Sequence, residues 1–236
     1  MATKARPGSA TTHKRPVAAP AAVRWGAWAG IVYVLAWLIG LFLAPPAPDP
    51  FGSPGTINGY FSAHRPAAMI QSLFIHGLAG AALLGLTAAL WAYLAAGDTA
   101  VPRKVMLAAG VLAAAVSFLQ VAFMIGIYVH VGQHGSADGT KTLFNAINKP
   151  DTIKLILLAV FVGAASWAAA RNGALPRWVA WLGAVTVVFL VVGGLAFLAE
   201  SGVLNLALDV SLPLLLLWAA AASISMIWRR PAARRA

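Results

Sequence analysis

The chain has no cysteine and very little charge. Without cysteine it can form no disulfide, no thiolate nucleophile and no thiolate-held metal site. Only 10% of its 236 residues are charged, whereas a soluble domain carries about a quarter. With 61% of the residues hydrophobic, there is too little polar surface to clothe a water-soluble globule, and the exterior has to face lipid. Acid is scarcest of all, with six Asp and Glu against 17 Lys and Arg. No dinucleotide fingerprint, phosphate-binding loop or nucleophile elbow occurs, and no dense histidine array. Those absences leave no soluble catalytic domain to look for.

What is present is a set of long apolar runs, at about 23–44, 67–95, 104–130, 153–171, 178–199 and 205–228. Each approaches or exceeds the roughly 20 residues a helix needs to cross a bilayer. The expected fold is all-α, a polytopic transmembrane bundle of about six helices spanning residues 23–228. Residues 1–22 mix Lys, Arg, Pro, Ser and Thr without apolar period and read as a disordered basic cytoplasmic tail. Residues 229–236 read as a second basic cytoplasmic tail. The first run is too long for a signal-peptide core and reads as an uncleaved anchor.

The net charge of +11 is sorted by end of the bundle rather than by one folded face, so it indicates no nucleic-acid partner. Lys4, Arg6, Lys14 and Arg15 precede the first span and Arg24 lies at its start, and Arg229, Arg230, Arg234 and Arg235 follow the last. Arg103 with Lys104, and Arg171 with Arg177, occupy the two short loops on the same side. Only Arg65, Lys141, Lys149 and Lys154 fall on the other. The positive-inside rule then places both termini in the cytoplasm of a cell carrying this multi-pass protein in its plasma membrane. Trp25, Trp28, Trp91, Trp167, Trp178, Trp181 and Trp228 gather near the basic ends, as an interfacial belt does.

The outer loops carry amphipathic signals. Ser53-Pro54 looks like a helix start, and Ile57, Tyr60, Phe61 and His64 recur at helical spacing. Thr140, Leu143, Phe144 and Ile147 repeat the pattern. Both stretches are expected as short interfacial helices.

Polar chemistry is concentrated on that outer side. Asp49, Asp138, Asp151, Glu200 and Asp209 lie there, as do His64, His76, His130 and His134; Asp98 alone among the acids lies opposite. The second and third spans run antiparallel about a tight loop, so residues at equal depth have numbers summing to roughly 199. That sets His76 within a turn of Gln120 and Gln71 level with Tyr128, with Ser117, Gln120, Met124 and Tyr128 forming one stripe. Polar groups at such depth are expected to face the bundle. His130 and His134, at i and i+4, are the candidate metal ligands. Glu200 and Asp209 flank the turn ESGVLN, and Pro213 removes the amide that would bond the Asp209 carbonyl. Lys154, one turn after Asp151, is the candidate partner for Asp209. The candidate catalytic set is therefore Asp209, Glu200, His76, Gln120 and Tyr128. The sequence identifies no cofactor.

The opening RWGAWAGIVYVLAWL, the junction LPRWVAWLGAV (Leu175 to Val185) and the ending LPLLLLWAAAASISMIWRR together resemble uncharacterised six-helix bacterial membrane proteins, of the domain-of-unknown-function kind frequent in actinobacteria. The resemblance implies the fold and brings no activity with it. Two functional classes stay open. One is a transporter-like, sensory or partner-binding membrane component with an outward-facing polar site among helices 2 to 6. The other is a membrane-embedded enzyme acting on a lipophilic, isoprenoid-like or lipid substrate, by acid–base chemistry through Asp209 or Glu200 or by metal-assisted chemistry. The partners expected are the lipid bilayer and a lipophilic small molecule.

Overall fold

A computed structural model describes residues 21–95, 99–199 and 201–228. Among these residues the chain forms helices and turns and no strand. Seven α-helices follow in order: α1 (Ala21–Gly40), α2 (Pro54–Ser72), α3 (Ala79–Tyr93), α4 (Ala100–Gly132), α5 (Ala137–Asn172), α6 (Arg177–Gly194) and α7 (Gly202–Trp228). A π turn, Leu73–Leu78, joins α2 to α3 without a break, and a 3-10 turn, Leu195–Phe197, extends α6. With α2 and α3 counted as one rod, six helices are long and apolar enough to cross a membrane. The chain is an all-α, multi-pass bundle. Residues 1–20 of the first tail, the whole of the second, Asp98 and Glu200 lie outside the described residues.

Successive rods run antiparallel, in register set by small residues. A Cβ added to Gly26 would come within 2.7 Å of the Ala89 Cβ, and one on Gly193 within 2.7 Å of the Leu208 Cα. Gly30 leaves room for Ser223, and Gly183 for Ser166 and Trp218. Between the first long rod and α4 the neighbours are Gly80 with Ser117 and, in the π turn, Gly77 with Val121, so their numbers sum to within two of the expected 199. Close backbone approach of this kind is how helices associate in lipid, where no hydrophobic drive exists between them.

The rods differ in length, and the difference builds the molecule. The α2–α3 rod runs 40 residues, about 60 Å at 1.5 Å per residue and twice the hydrocarbon thickness. α4 and α5 are also long, at 33 and 36 residues, whereas α1 has only 20. The α1 end meets the long rod halfway along it, where Gln71 Nε2 donates to the Gly40 carbonyl at 3.2 Å. The space beside Gly194, near the end of α6, is likewise filled by Leu155 and Thr152 of α5. Beyond that level only α2, the end of α4 and the start of α5 continue, and they pack into a three-helix cap. The six-helix part below is called the slab here. The slab end bearing residues 21 and 228 is the terminal end, and the capped end is distal.

Cap and slab have separate cores. The cap buries Ile57, Phe61, Ala68, Met124, Ile127, Phe144 and Ile147, with Phe61 and Phe144 edge to face at 5.4 Å. The slab buries a larger, alanine-rich set reaching from Ala27 and Ala36 to Phe161, Trp218 and Ala222. The loop after α1 straps the cap: Tyr60 Oη donates to the Pro45 carbonyl at 2.7 Å and Lys141 Nζ to the Gly52 carbonyl at 2.8 Å.

This corrects the expectation of short interfacial helices. The stretch from Ile57 to His64 starts the 40-residue rod, and Thr140 to Ile147 starts α5. Ser53 caps the first, accepting from the Thr56 amide at 3.2 Å, and Ser136 caps the second, accepting from the Gly139 amide at 3.1 Å. Pro66 does not end the helix. His64 absorbs the proline's demand by leaving helical geometry, at φ −121° and ψ 18°. At the other end of α5, Gly173 turns the chain with φ 65°, a left-handed cap that suits glycine.

At the terminal end, Trp25, Trp28, Trp167, Trp178, Trp181 and Trp228 all face outward. Arg103 lies 4.1 Å over the Trp91 ring and donates to the Trp91 carbonyl at 3.0 Å. These are aromatic side chains in the position of an interfacial belt.

Candidate functional site

Along each of the three long rods the buried side chains turn polar at one level. On the first rod Ser72 and His76 separate the cap residue Ala68 from the slab residue Ala79. On α4 Ser117 and Gln120 separate Ala114 from Met124. On α5 Asp151, Thr152 and Lys154 separate Ile147 from Leu158. A polar layer therefore lies between the two cores, beside the distal ends of α1 and α6.

Lys154 holds that layer together. Its ammonium has three hydrogens to donate, and it has three acceptors: the Asp151 carboxylate one turn earlier, Gln120 Oε1 at 2.8 Å and His76 Nδ1 at 3.5 Å. Lys154 is only 5% exposed, so an unpaired charge there would cost several kcal/mol, and this partner set offsets that cost. Gln120, fully buried, is tied as completely. Its amide nitrogen donates to the Ile147 carbonyl at 2.8 Å and to Asp151 Oδ1 at 2.9 Å, while its oxygen receives Lys154. His76 can accept from Lys154 only through an unprotonated Nδ1, which puts its ring proton on Nε2. It sits within the π turn, whose wider winding, with the Ala79 amide reaching back to the Phe74 carbonyl, re-aims the side chains of that turn.

Asp151 engages Lys154 and Gln120 through Oδ1, and two cavities meet at its side chain. One, of about 110 Å³, lies inside the cap and is lined by Tyr60, Gln71, Ser72, His76, Asn148 and Asp151 among apolar neighbours. The other, of about 370 Å³, is a groove between α1 and α7, with Trp37 and Leu41 on one wall and Leu208, Asp209, Ser211 and Leu212 on the other; Asp151 and Lys154 form its inner end. A larger trough, about 630 Å³, lies at the terminal end between α5 and α6. It is floored by Gly163, Ala170, Ala180 and Ala184 between Trp167 and Trp181. It holds no carboxylate or imidazole and is remote from the polar layer, so it belongs to the lipid-facing surface.

The candidate residues fare differently. His76 and Gln120 are brought together, both on Lys154. Asp209 shares a cavity with Lys154, walled by α5, the 3-10 turn after α6, α7 and the end of α1. Its carboxylate is exposed in the groove. The ion pair to Lys154 goes instead to Asp151, the only one among the described residues, because a residue three positions away on the same helix is already in reach.

Tyr128 is separate from the cluster. Its ring lies on the flank of α4 with the Arg65 guanidinium 4.7 Å above it. Ile127 takes the inward place that the stripe assigned to Tyr128, since one residue is 100° of helical rotation. His130 and His134 are not set on one helical face. α4 stops at Gly132, and His134 turns the chain with φ 57°. The His130 ring folds over Gly135 and Gly139, its Nε2 donating to the Ser136 carbonyl at 3.0 Å. Among the described residues no three of His, Asp and Glu are grouped to hold a metal.

Asp151 as the centre of the cluster, and Ser72, Tyr60 and Asn148 as cavity walls, were not singled out from sequence. The available signal was an acid and a base at i and i+3 within an apolar run, just after Pro150. No family model, curated protein or solved structure matches this chain.

Proposed function

We propose that this multi-pass membrane protein is a carrier-like binding protein for an amphipathic small molecule, in a bacterial cell membrane with both termini cytoplasmic. The carrying observation is that Asp151, paired with Lys154, is the common wall of a lateral apolar groove and a polar cap chamber. A groove between α1 and α7 suits an apolar body entering from the bilayer, and the ion pair at its inner end suits a polar head. Charged groups at membrane depth are costly and recur on solute and proton paths. The orientation rests on the basic residues and outward tryptophans of the terminal end, set against Asp49, Asp138, Asp151 and Asp209 toward the other.

Asp209 on the same groove wall favours a second reading, acid–base chemistry on the bound molecule, with Asp209 as proton donor or acceptor. Mass spectrometry of molecules retained by the purified protein separates the two, since a carrier releases its ligand unchanged. Leu212→Trp, which places a large ring in the groove and leaves the polar residues unchanged, is expected to displace the retained amphiphile. Retention of the same species by Leu212→Trp removes the groove from the account.

A further inference from the structure

The cap chamber has a chemical bias that the groove lacks, because its wall gathers amide, hydroxyl and carboxylate oxygens whose neighbouring donors are partly engaged elsewhere. Gln71 turns its amide nitrogen to the Gly40 carbonyl and Asn148 turns its own to the Phe144 carbonyl at 2.8 Å. A carbonyl can only accept, so in each amide the nitrogen must face it and the oxygen is left over. Tyr60 gives its hydroxyl hydrogen to the Pro45 carbonyl, leaving the phenolic oxygen as an acceptor. Asp151 meets Lys154 and Gln120 through Oδ1, and its carboxylate has a second oxygen to offer. Ser72, 3% exposed, has a buried hydroxyl with no partner among the described residues, and it lines the same chamber. An orphaned buried hydroxyl of this kind calls for something bound beside it. The donors left on the wall are the second hydrogen of each amide, the Ser72 hydroxyl, which can turn its hydrogen away from a cation, and the His76 ring N–H.

We propose that this chamber is a binding site for a small monovalent cation, Na⁺ or an ammonium ion, held by Gln71, Ser72, Asn148 and Asp151. Neutral amide and hydroxyl oxygens replace a hydration shell, and the volume, about 110 Å³, takes such an ion with one or two waters at about 30 Å³ each. A divalent ion is disfavoured because the only carboxylate is already shared with Lys154, whereas calcium sites use several carboxylates. The ion and Lys154 would then bear on the same carboxylate from opposite sides, which links the chamber to the groove. The cation site does not depend on the amphiphile, and its test contains none.

The test is thermal unfolding of the purified full chain in detergent at constant ionic strength, with NaCl, NH₄Cl, KCl, CaCl₂ or choline chloride, alongside direct binding of radioactive Na⁺. The expected result is a saturable rise in Tm with Na⁺ or NH₄⁺ and none with choline; the two arms name the ion. Asn148→Leu and Ser72→Ala, which leave the ion pair intact, should each weaken half-saturation about tenfold, the loss of one ligand to a charge. An equal rise in choline chloride, a response to Ca²⁺ alone, or wild-type affinity in both variants overturns the proposal.

Discussion

The cap and the slab are built from the same rods by opposite rules. The cap core is made of large side chains, with Phe61 against Phe144 and Ile57, Ile127 and Ile147 around them, and a single alanine, Ala68. The slab core is close to half alanine, and its helices meet at glycines where an added Cβ would collide. Large buried side chains are the economical choice where water drives burial, because each removes much apolar area from solvent. Small ones suit lipid, where closeness and dispersion are what helices gain by association. The change of rule occurs within single continuous helices, at the level of Ser72, Gln120 and Asp151. The polar layer is therefore where the two packing patterns meet, and the two cavities that share Asp151 lie there.

The strongest way to break this boundary is Lys154→Met, which leaves Asp151 charged and buried beside Gln120. A loss of about 3–5 kcal/mol is expected, read as a large fall in the thermal unfolding midpoint in detergent. Phe61→Ala should cost about 3 kcal/mol and only in the cap. Hydrogen exchange is the check: protection should fall in residues 54–70 and 137–150 while α6 and α7 keep theirs. Equal loss throughout would mean that cap and slab are one cooperative unit.

Gln120→Leu removes two donors and one acceptor from the layer and should cost about 1–3 kcal/mol, less than Lys154→Met because no charge loses its only counter-ion. The smallest effect is expected within the slab. Ser166→Ala removes the acceptor of Trp218 Nε1, now 3.1 Å away, and interhelical bonds in lipid average about 0.6 kcal/mol. A cost above that of Gln120→Leu would reverse the ranking of the two regions.

Much of the slab was legible in the sequence, because lipid imposes a length and a hydropathy on each span. The expected runs 104–130, 178–199 and 205–228 match α4, α6 with its 3-10 turn, and α7 to within a few residues. The α3–α4 register followed from one tight loop. The cap was harder to read. A helical period from Ile57 to His64 describes an interfacial helix and the start of a long rod equally well, and the helix runs through Pro66 with His64 out of helical geometry. The π turn has no sequence signature. Asp151 and Lys154 were visible as neighbours, but their link to Gln120 and His76 needed three helices in register. Asp209 drew attention because an acid before a proline in an apolar run is conspicuous, while its exposure depended on how α1 and α7 meet.

The central claim is that the Asp151–Lys154 pair serves binding rather than stability. Replacing a buried ion pair by apolar residues is often neutral or stabilising, unlike breaking it. The double variant Asp151→Leu with Lys154→Met should therefore recover most of the stability lost in Lys154→Met. Measured by native mass spectrometry and radioactive Na⁺ binding, it should retain neither the amphiphile nor the cation. A double variant that folds and still binds both as wild type does would contradict the account.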